Sequence, residues 1–427
     1  MTVGVEVLIL PVFVVTGRRY RATANSIADM ADGPTPDKSP DGDPVPNPFS
    51  AFPMFGDIAR AMQSQGPLNW DAARQFAMLG ATQGEPEHNV DPTVRIAYTA
   101  LARIAGMHVN DVTGSDIAFP EPRIVTRGQW AGETLDAYRP LFTDLATSLG
   151  QQPPVDSSVE SSDPMTQMMA GLNKLVAPAM LGMSVGSMVG ALAQRVFGLH
   201  DLPIPRDKQA VVLIGQTIDQ FATDWEIPID EMRLWVLAHE LSGFTIFSLP
   251  HLRQPLVDLV RTHVGAFRPD PSALTDKLGG FDLGGDDPMQ AIQQAFSDPE
   301  ILLGAVRSQE QVAMQPRLDA AVATVVGYTD WVVDAVAVRV IGGNALRIAE
   351  AVRRRRVETS SDDVFVERLL GIRIGEDQVN RGKAFIQGVV DRVGETELTR
   401  LLEKPESLPT PSELDAPGLW IARITGE

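Results

Sequence analysis

The chain has 427 residues, 44% of them hydrophobic and 21% charged, enough to build one large core or two to three ordinary ones. Its 55 acidic and 36 basic side chains leave a net charge of −19, which repels a phosphate backbone, and no basic stripe offsets it, so no nucleic-acid partner is expected. Cysteine is absent, which excludes disulfide scaffolds, thiolate zinc sites, Cys-held iron–sulfur clusters and thiol nucleophiles, and fits a reducing cytoplasm.

In chain order, the apolar run Val7–Val15 precedes Arg18, Arg19 and Arg21, the reverse of a signal peptide's charge order. It also falls short of the roughly 20 residues that span a bilayer. Ala22 to Ser50 is rich in Pro, Asp, Gly and Ser and cannot bury enough apolar surface to offset chain ordering. Residues 1–50 are therefore read as a disordered or mis-assigned extension. Residues 51–150 form an N-terminal helical part, with one amphipathic stretch opening at Phe55 and another capped by Asn69 or Asp71. Val94–Ala105 and Glu133–Leu149 follow as helices, and residues 151–164 are a polar Pro/Ser linker.

Residues 165–427 make up the helical core. Within it, Leu175–Ala193 has no charge and places Gly182, Gly186 and Gly190 on one helical stripe, which permits close backbone approach in a membrane or in a crowded core. Its Gly, Ala, Ser and Met content favours a helix buried in a bundle, and no stable membrane insertion is expected. Lys208–Phe221, Pro228–Phe247, His251–Val264, Glu310–Val340, Asn344–Arg356 and Arg381–Val393 read as further helices, with an exposed loop at Arg268–Pro288. Val211–Ile214 is the one branched run of note in the middle of the chain. The fold class is mainly α, a multi-helix domain with few or no strands.

One segment carries chemistry: the apolar helix with His239-Glu240 at its middle. A zinc protease places H-E-x-x-H on such a helix because His at i and i+4 share a face and grip one ion, while the Glu polarises the metal-bound water. Here the second His position is Gly243. The dipeptide alone has almost no specificity and far more often marks a core histidine satisfied by a carboxylate.

The surroundings add to this. Gly66-Pro67-Leu68-Asn69-Trp70-Asp71, Gly198-Leu199-His200-Asp201-Leu202-Pro203, Arg233-Leu234-Trp235-Val236 and Pro250-His251-Leu252-Arg253 occur in order. Gly327-Tyr328-Thr329-Asp330, Leu369-Leu370-Gly371-Ile372 and Pro405-Glu406-Ser407-Leu408-Pro409-Thr410 follow. In these motifs, from about Phe55 to Ile424, the sequence resembles the actinobacterial zincin-like metallopeptidase family, described as hydrolases or zinc-dependent metalloproteases and in part as associated with coenzyme F420 biosynthesis. The resemblance implies a mostly helical zincin-like fold. It also implies H-E-x-x-H followed by E-G-x-x-D, in which the later Glu is the third ligand and the Asp supports the first His. Onto this chain the pattern transfers His239 as metal ligand, Glu240 as catalytic base and Asp330 as the residue supporting His239, whereas the ligand positions Gly243 and Val326 have lost their donors. A catalytic zinc needs three protein ligands, so no cofactor is expected unless the protein is active, in which case it is zinc.

Two readings stand. In the first, the metal motif is degenerate, His239 is hydrogen-bonded by Asp330, and the protein binds an unknown peptide or protein partner as a scaffold. In the second, it is an active zinc-dependent hydrolase with Glu240 as general base and ligands relocated to residues such as His200, His251 or Glu310. Arg353–Arg356 is read as a cationic helix C-terminus that complements the dipole. Gly279–Asp286 is read as a flexible loop, and no G-x-S-x-G elbow is present.

Overall fold

The computed structural model describes residues 66–150, 164–206, 209–268, 308–357, 367 and 369–426. The expectations for residues 1–50, for the helix opening at Phe55, for the linker up to residue 163 and for Gly279–Asp286 lie outside them. The described residues are mostly helical, and their strands are two segments of three residues each. α1 (Trp70–Thr82) and α2 (Pro92–Thr113) lead to β1 (Arg123–Val125), α3 (Arg127–Ala137), α4 (Arg139–Gly150) and α5 (Pro164–Arg195). β2 (Val212–Ile214), α6 (Gly215–Asp224), α7 (Ile229–Phe247) and α8 (Pro250–Gly265) follow. The C-terminal part holds α9 (Gln309–Val340), α10 (Ala345–Val357), α11 (Glu376–Val393), α12 (Pro411–Asp415) and α13 (Pro417–Thr425).

Local chemistry sets these boundaries. Asn69 caps α1, its Oδ1 accepting the Ala72 N–H at 3.0 Å, and a Ser308/Gln311 capping box opens α9. The single helix expected over Glu133–Leu149 is two, broken at Tyr138. Pro140, in the first turn of α4, has no N–H to return to Asp136, so the ladder restarts there. Within the expected helix Lys208–Phe221, the branched run pairs as β2 before α6 begins. β2 lies parallel to β1, with Ile124 opposite Leu213. β1 had no readable signal, being three residues long.

A single apolar core draws on residues from Leu68 to Trp420. The glycine stripe of α5 serves close packing: a Cβ at Gly182, Gly186 or Gly190 would strike the backbone carbonyl oxygen of Asn69, Ala73 or Ala77. Side chains on that stripe would force α1 off α5. Among the described residues one helix, α9, is long and apolar enough to cross a membrane, and 78% of its apolar window is buried inside the protein. α7 is the central helix of the molecule, with every side chain from Trp235 to Phe247 buried. It packs against α2, α6, α8 and α9, which explains its lack of a polar face.

Candidate metal centre

The segment joining α5 to β2 fixes Glu240. The Ile214 N–H donates to the Phe197 carbonyl at 2.7 Å and the Trp130 indole N–H to the Gly198 carbonyl at 3.2 Å. These anchors turn the next two amides toward α7. The Leu199 N–H donates to Glu240 Oε2 at 3.1 Å and the His200 N–H to Oε1 at 2.9 Å, while His200 Nδ1 lies 2.9 Å from Oε2. Glu240 is 0% exposed. Gly198 has to be glycine, because a Cβ there would come 2.5 Å from Glu240 Oε1. Burial alone would raise the carboxyl's pKa. The positive charge and hydrogen bond of His200, with a contribution from His239, outweigh burial and hold it at about 2.

Gly243 has a matching explanation. A Cβ at this position would lie 2.5 Å from His200 Cβ and 2.6 Å from its Cγ. The His200 ring is stacked on Phe247 with centroids 5.8 Å apart. An imidazole thus still sits one helical turn past Glu240, but it comes from the α5–β2 segment and faces the carboxylate.

His239 is 4% exposed and stacks on Trp235 with centroids 5.7 Å apart. Its Nδ1 lies 3.9 Å from Asp201 Oδ1 and 3.9 Å from Glu240 Oε1, and has no hydrogen-bond partner among the described residues. The expected hydrogen bond from His239 to Asp330 is not formed. Arg356 Nη1 donates to both Asp330 carboxylate oxygens, at 3.1 and 3.2 Å, and Arg353 Nε is 3.7 Å from the same group while its other end bonds Asp334. A permanently charged guanidinium is the stronger partner for a buried carboxylate. Burial raises the Asp330 pKa, but Arg356 first, then Arg353 and His239, pull it below the ordinary carboxylate range. The Arg353–Arg356 run therefore does more than complement the α10 dipole, since Arg355 also lies over the Phe197 ring at 3.9 Å.

His200, Asp201, His239, Gly243, Val326 and Asp330 meet around a cavity of about 20 Å³, the scale of one water molecule, with Arg356 on its wall. The sequence positions of the metal motif thus converge in space, Gly243 and Val326 included. Of the other candidates only His200 arrives. His251 Nε2 engages the Leu402 carbonyl at 2.8 Å, and Glu310 is exposed in the first turn of α9. Asp201 and the arginines of α10 were not anticipated at this site. Asp201 stands inside the Gly198–Pro203 motif, and its place beside His200 was the available signal. A larger apolar cavity of about 170 Å³, lined by Leu192, Val196, Val352 and Ile374, shares Asp201 and Arg356 with the small one.

The donor set of an H-E-x-x-H…E-G-x-x-D zinc centre does not fit these residues. Position 243 has no side chain, Val326 offers no donor, both oxygens of Glu240 already accept hydrogen bonds, and Arg356 sets a fixed positive charge against the same cavity.

Comparison with known proteins bears on the whole chain. In three dimensions it is similar to a protein of Chloroflexus aurantiacus described as "a putative hydrolase with a novel fold", with a TM-score of 0.58 and 22% sequence identity over 84% of this chain and 99% of that one. At that identity the likeness speaks for the fold alone. No curated protein matches the sequence significantly. A family model described as zincin-like metallopeptidase matches residues 68–421, a span that holds Glu240 in its cradle, His239, Asp330 and both donor-less positions. The chain belongs to the zincin-like metallopeptidase family.

Proposed function

We propose that this protein keeps the zincin-like fold without its hydrolytic chemistry, and acts as a binding or scaffold protein for a peptide or protein partner in the cytoplasm. The observation that carries the reading is the state of Glu240. A general base needs an oxygen within hydrogen-bond reach of a water in a substrate pose. Here three N–H groups converge on a carboxylate that is 0% exposed, and its low pKa opposes accepting a proton. Gly243 and Val326 deepen the case, since the two missing ligands are both on the cavity wall. The cavity beside the site, lined by Leu192, Val196, Val352 and Ile374 together with Arg195, Asp201, Arg355, Arg356 and Glu367, offers room for an apolar side chain of the partner. The acidic surface disfavours nucleic acid.

Peptide-library hydrolysis by the full chain, supplied with zinc, tests this reading. The expected result is no cleavage above that of Glu240→Gln. Turnover that disappears in a folded Glu240→Gln variant would overturn it.

A further inference from the structure

We propose that a separate cavity, between the α3–α4 junction, residues 204–206 and α8, binds a small monocarboxylate with an apolar body, an aromatic or branched short-chain acid, through Arg206. The cavity holds about 130 Å³ and is walled by Leu141, Ile204, Val257, Val260 and the Tyr138 ring, with Arg206 and Arg261 also on its lining. An apolar cavity of about 150 Å³ takes a benzene-sized body, so the space suits a ligand of that scale. No carboxylate among the described residues lines it. The site shares no residue with the His239–Glu240 region and does not rest on the proposed function.

Arg206 carries the argument. Its guanidinium lies 4.9 Å from the Tyr138 ring centroid and 5.6 Å from that of Trp130, and its Nη2 donates to Thr134 Oγ1 at 2.8 Å. Its Nε is buried with no hydrogen-bond partner, and among the described residues no carboxylate pairs with it. Other enclosed arginines of this acidic chain do meet one: Arg233 reaches Asp219 at 2.6 Å and Arg356 reaches Asp330 at 3.1 Å. A cation in apolar surroundings is costly until an anion joins it, and the planar guanidinium fork matches a carboxylate. Tyr138 cannot supply that anion. Burial pushes its phenol's pKa up against the pull of Arg206, so the hydroxyl stays protonated and donates to the Ile204 carbonyl at 2.9 Å.

The cavity also fixes the charge of its ligand. Arg261 Nε and Nη2 both donate to Asp144 Oδ2, at 2.9 and 2.7 Å, so this second cation is already neutralised. One positive charge is left to match, which suits a monocarboxylate better than a phosphate dianion. Arg206 is held in place by its own contacts, with Thr134 on its side chain and Gln209 Nε2 donating to its carbonyl at 2.6 Å. A preformed cation in an apolar cavity leaves little ordering cost to binding.

The test titrates the full chain with benzoate, followed by calorimetry and ligand-observed NMR. One benzoate per chain is expected, with a dissociation constant below about 1 mM. Benzamide, of the same shape without the charge, should bind at least about 10-fold more weakly, as should benzoate to Arg206→Gln. Val257→Phe, which fills the cavity and leaves the guanidinium in place, should abolish binding. Absence of benzoate binding, equal affinity for benzamide, or wild-type affinity in either variant would overturn the assignment. Should Arg206→Gln fail to fold, Val257→Phe and the benzamide comparison decide alone. Inorganic phosphate binding as tightly as benzoate would reduce the site to a general anion site. A short peptide ending in phenylalanine that bound more tightly than benzoate would reassign it to a protein C-terminus. Either result overturns the proposal, whereas the proposed function is tested by peptide hydrolysis and stands or falls apart from it.

Discussion

Glu240 and His239 are neighbours on one buried helix, yet their surroundings differ in kind. Glu240 sits in a completed cradle, with three N–H groups on two oxygens and no exposed surface. His239 is equally enclosed but keeps an unmatched nitrogen 3.9 Å from two carboxylates. The difference separates a group whose bonds are complete from one with bonding capacity left. A saturated group holds helices together; an unsatisfied one in the same core is where a ligand gains most.

The sharpest way to break this contrast is to remove the carboxylate. Glu240→Ala leaves three buried donors unpaired and should cost about 3–5 kcal/mol, read as a lower midpoint in urea unfolding. Glu240→Gln retains one acceptor and should cost about 2 kcal/mol. The pH dependence has a fixed sign. Because folding lowers the Glu240 pKa from 4.5 to about 2, the group stabilises the fold above pH 4.5 and loses that contribution as the pH falls toward 2. The shift corresponds to about 3 kcal/mol. The gap between wild type and Glu240→Gln should therefore narrow steadily below pH 4.5. A gap independent of pH would mean the cradle does not select the ionised carboxylate.

On the other side of the site, Asp330→Ala should cost less, about 2–3 kcal/mol, because Arg356 and Arg353 are partly exposed and can turn their charge to water. If the loss matched that of Glu240→Ala, the arginine pairing would be as closed as the Glu240 cradle and the contrast would fail.

Gly243 probes the boundary between the two regions. Gly243→Ala presses a methyl onto His200 and should cost about 1–3 kcal/mol by overpacking. Adding His200→Ala should relieve most of that strain, giving a coupling energy in a double-mutant cycle. The same geometry predicts that Gly243→His with Val326→Glu fails to create a family-type zinc site while His200 occupies the space. Zinc binding by that pair without a change at His200 would show that the imidazole moves aside freely.

Much of this architecture was legible in the sequence. Helical periodicity located the long helices, and the uncharged glycine stripe announced close packing, which α1 supplies. The short parallel pairing was not legible, because β1 has three residues and its partner lies 89 positions away, from Arg123 to Val212. At the site, local spacing placed His239 and Glu240, and resemblance placed Val326 and Asp330 opposite them. What stayed hidden depended on contacts between distant segments. His200 and Asp201 reach the site through an anchored turn, and Arg356 reaches Asp330 across two helices. No periodicity encodes which of two available partners, an imidazole or a guanidinium, a buried aspartate will take.

The smallest effect is expected at the histidine nearest the motif in sequence. His251 lies 12 positions beyond His239 and begins α8, where its Nε2 meets the Leu402 carbonyl at 2.8 Å. That bond is only partly buried, and water can replace the imidazole, so His251→Ala should cost no more than about 1 kcal/mol. The pH dependence assigned to Glu240 should stay at its wild-type value. A larger loss, or any change in that pH dependence, would mean that α8 transmits its position to the α7 site, and the boundary drawn around His239 and Glu240 would have to move outward to include it.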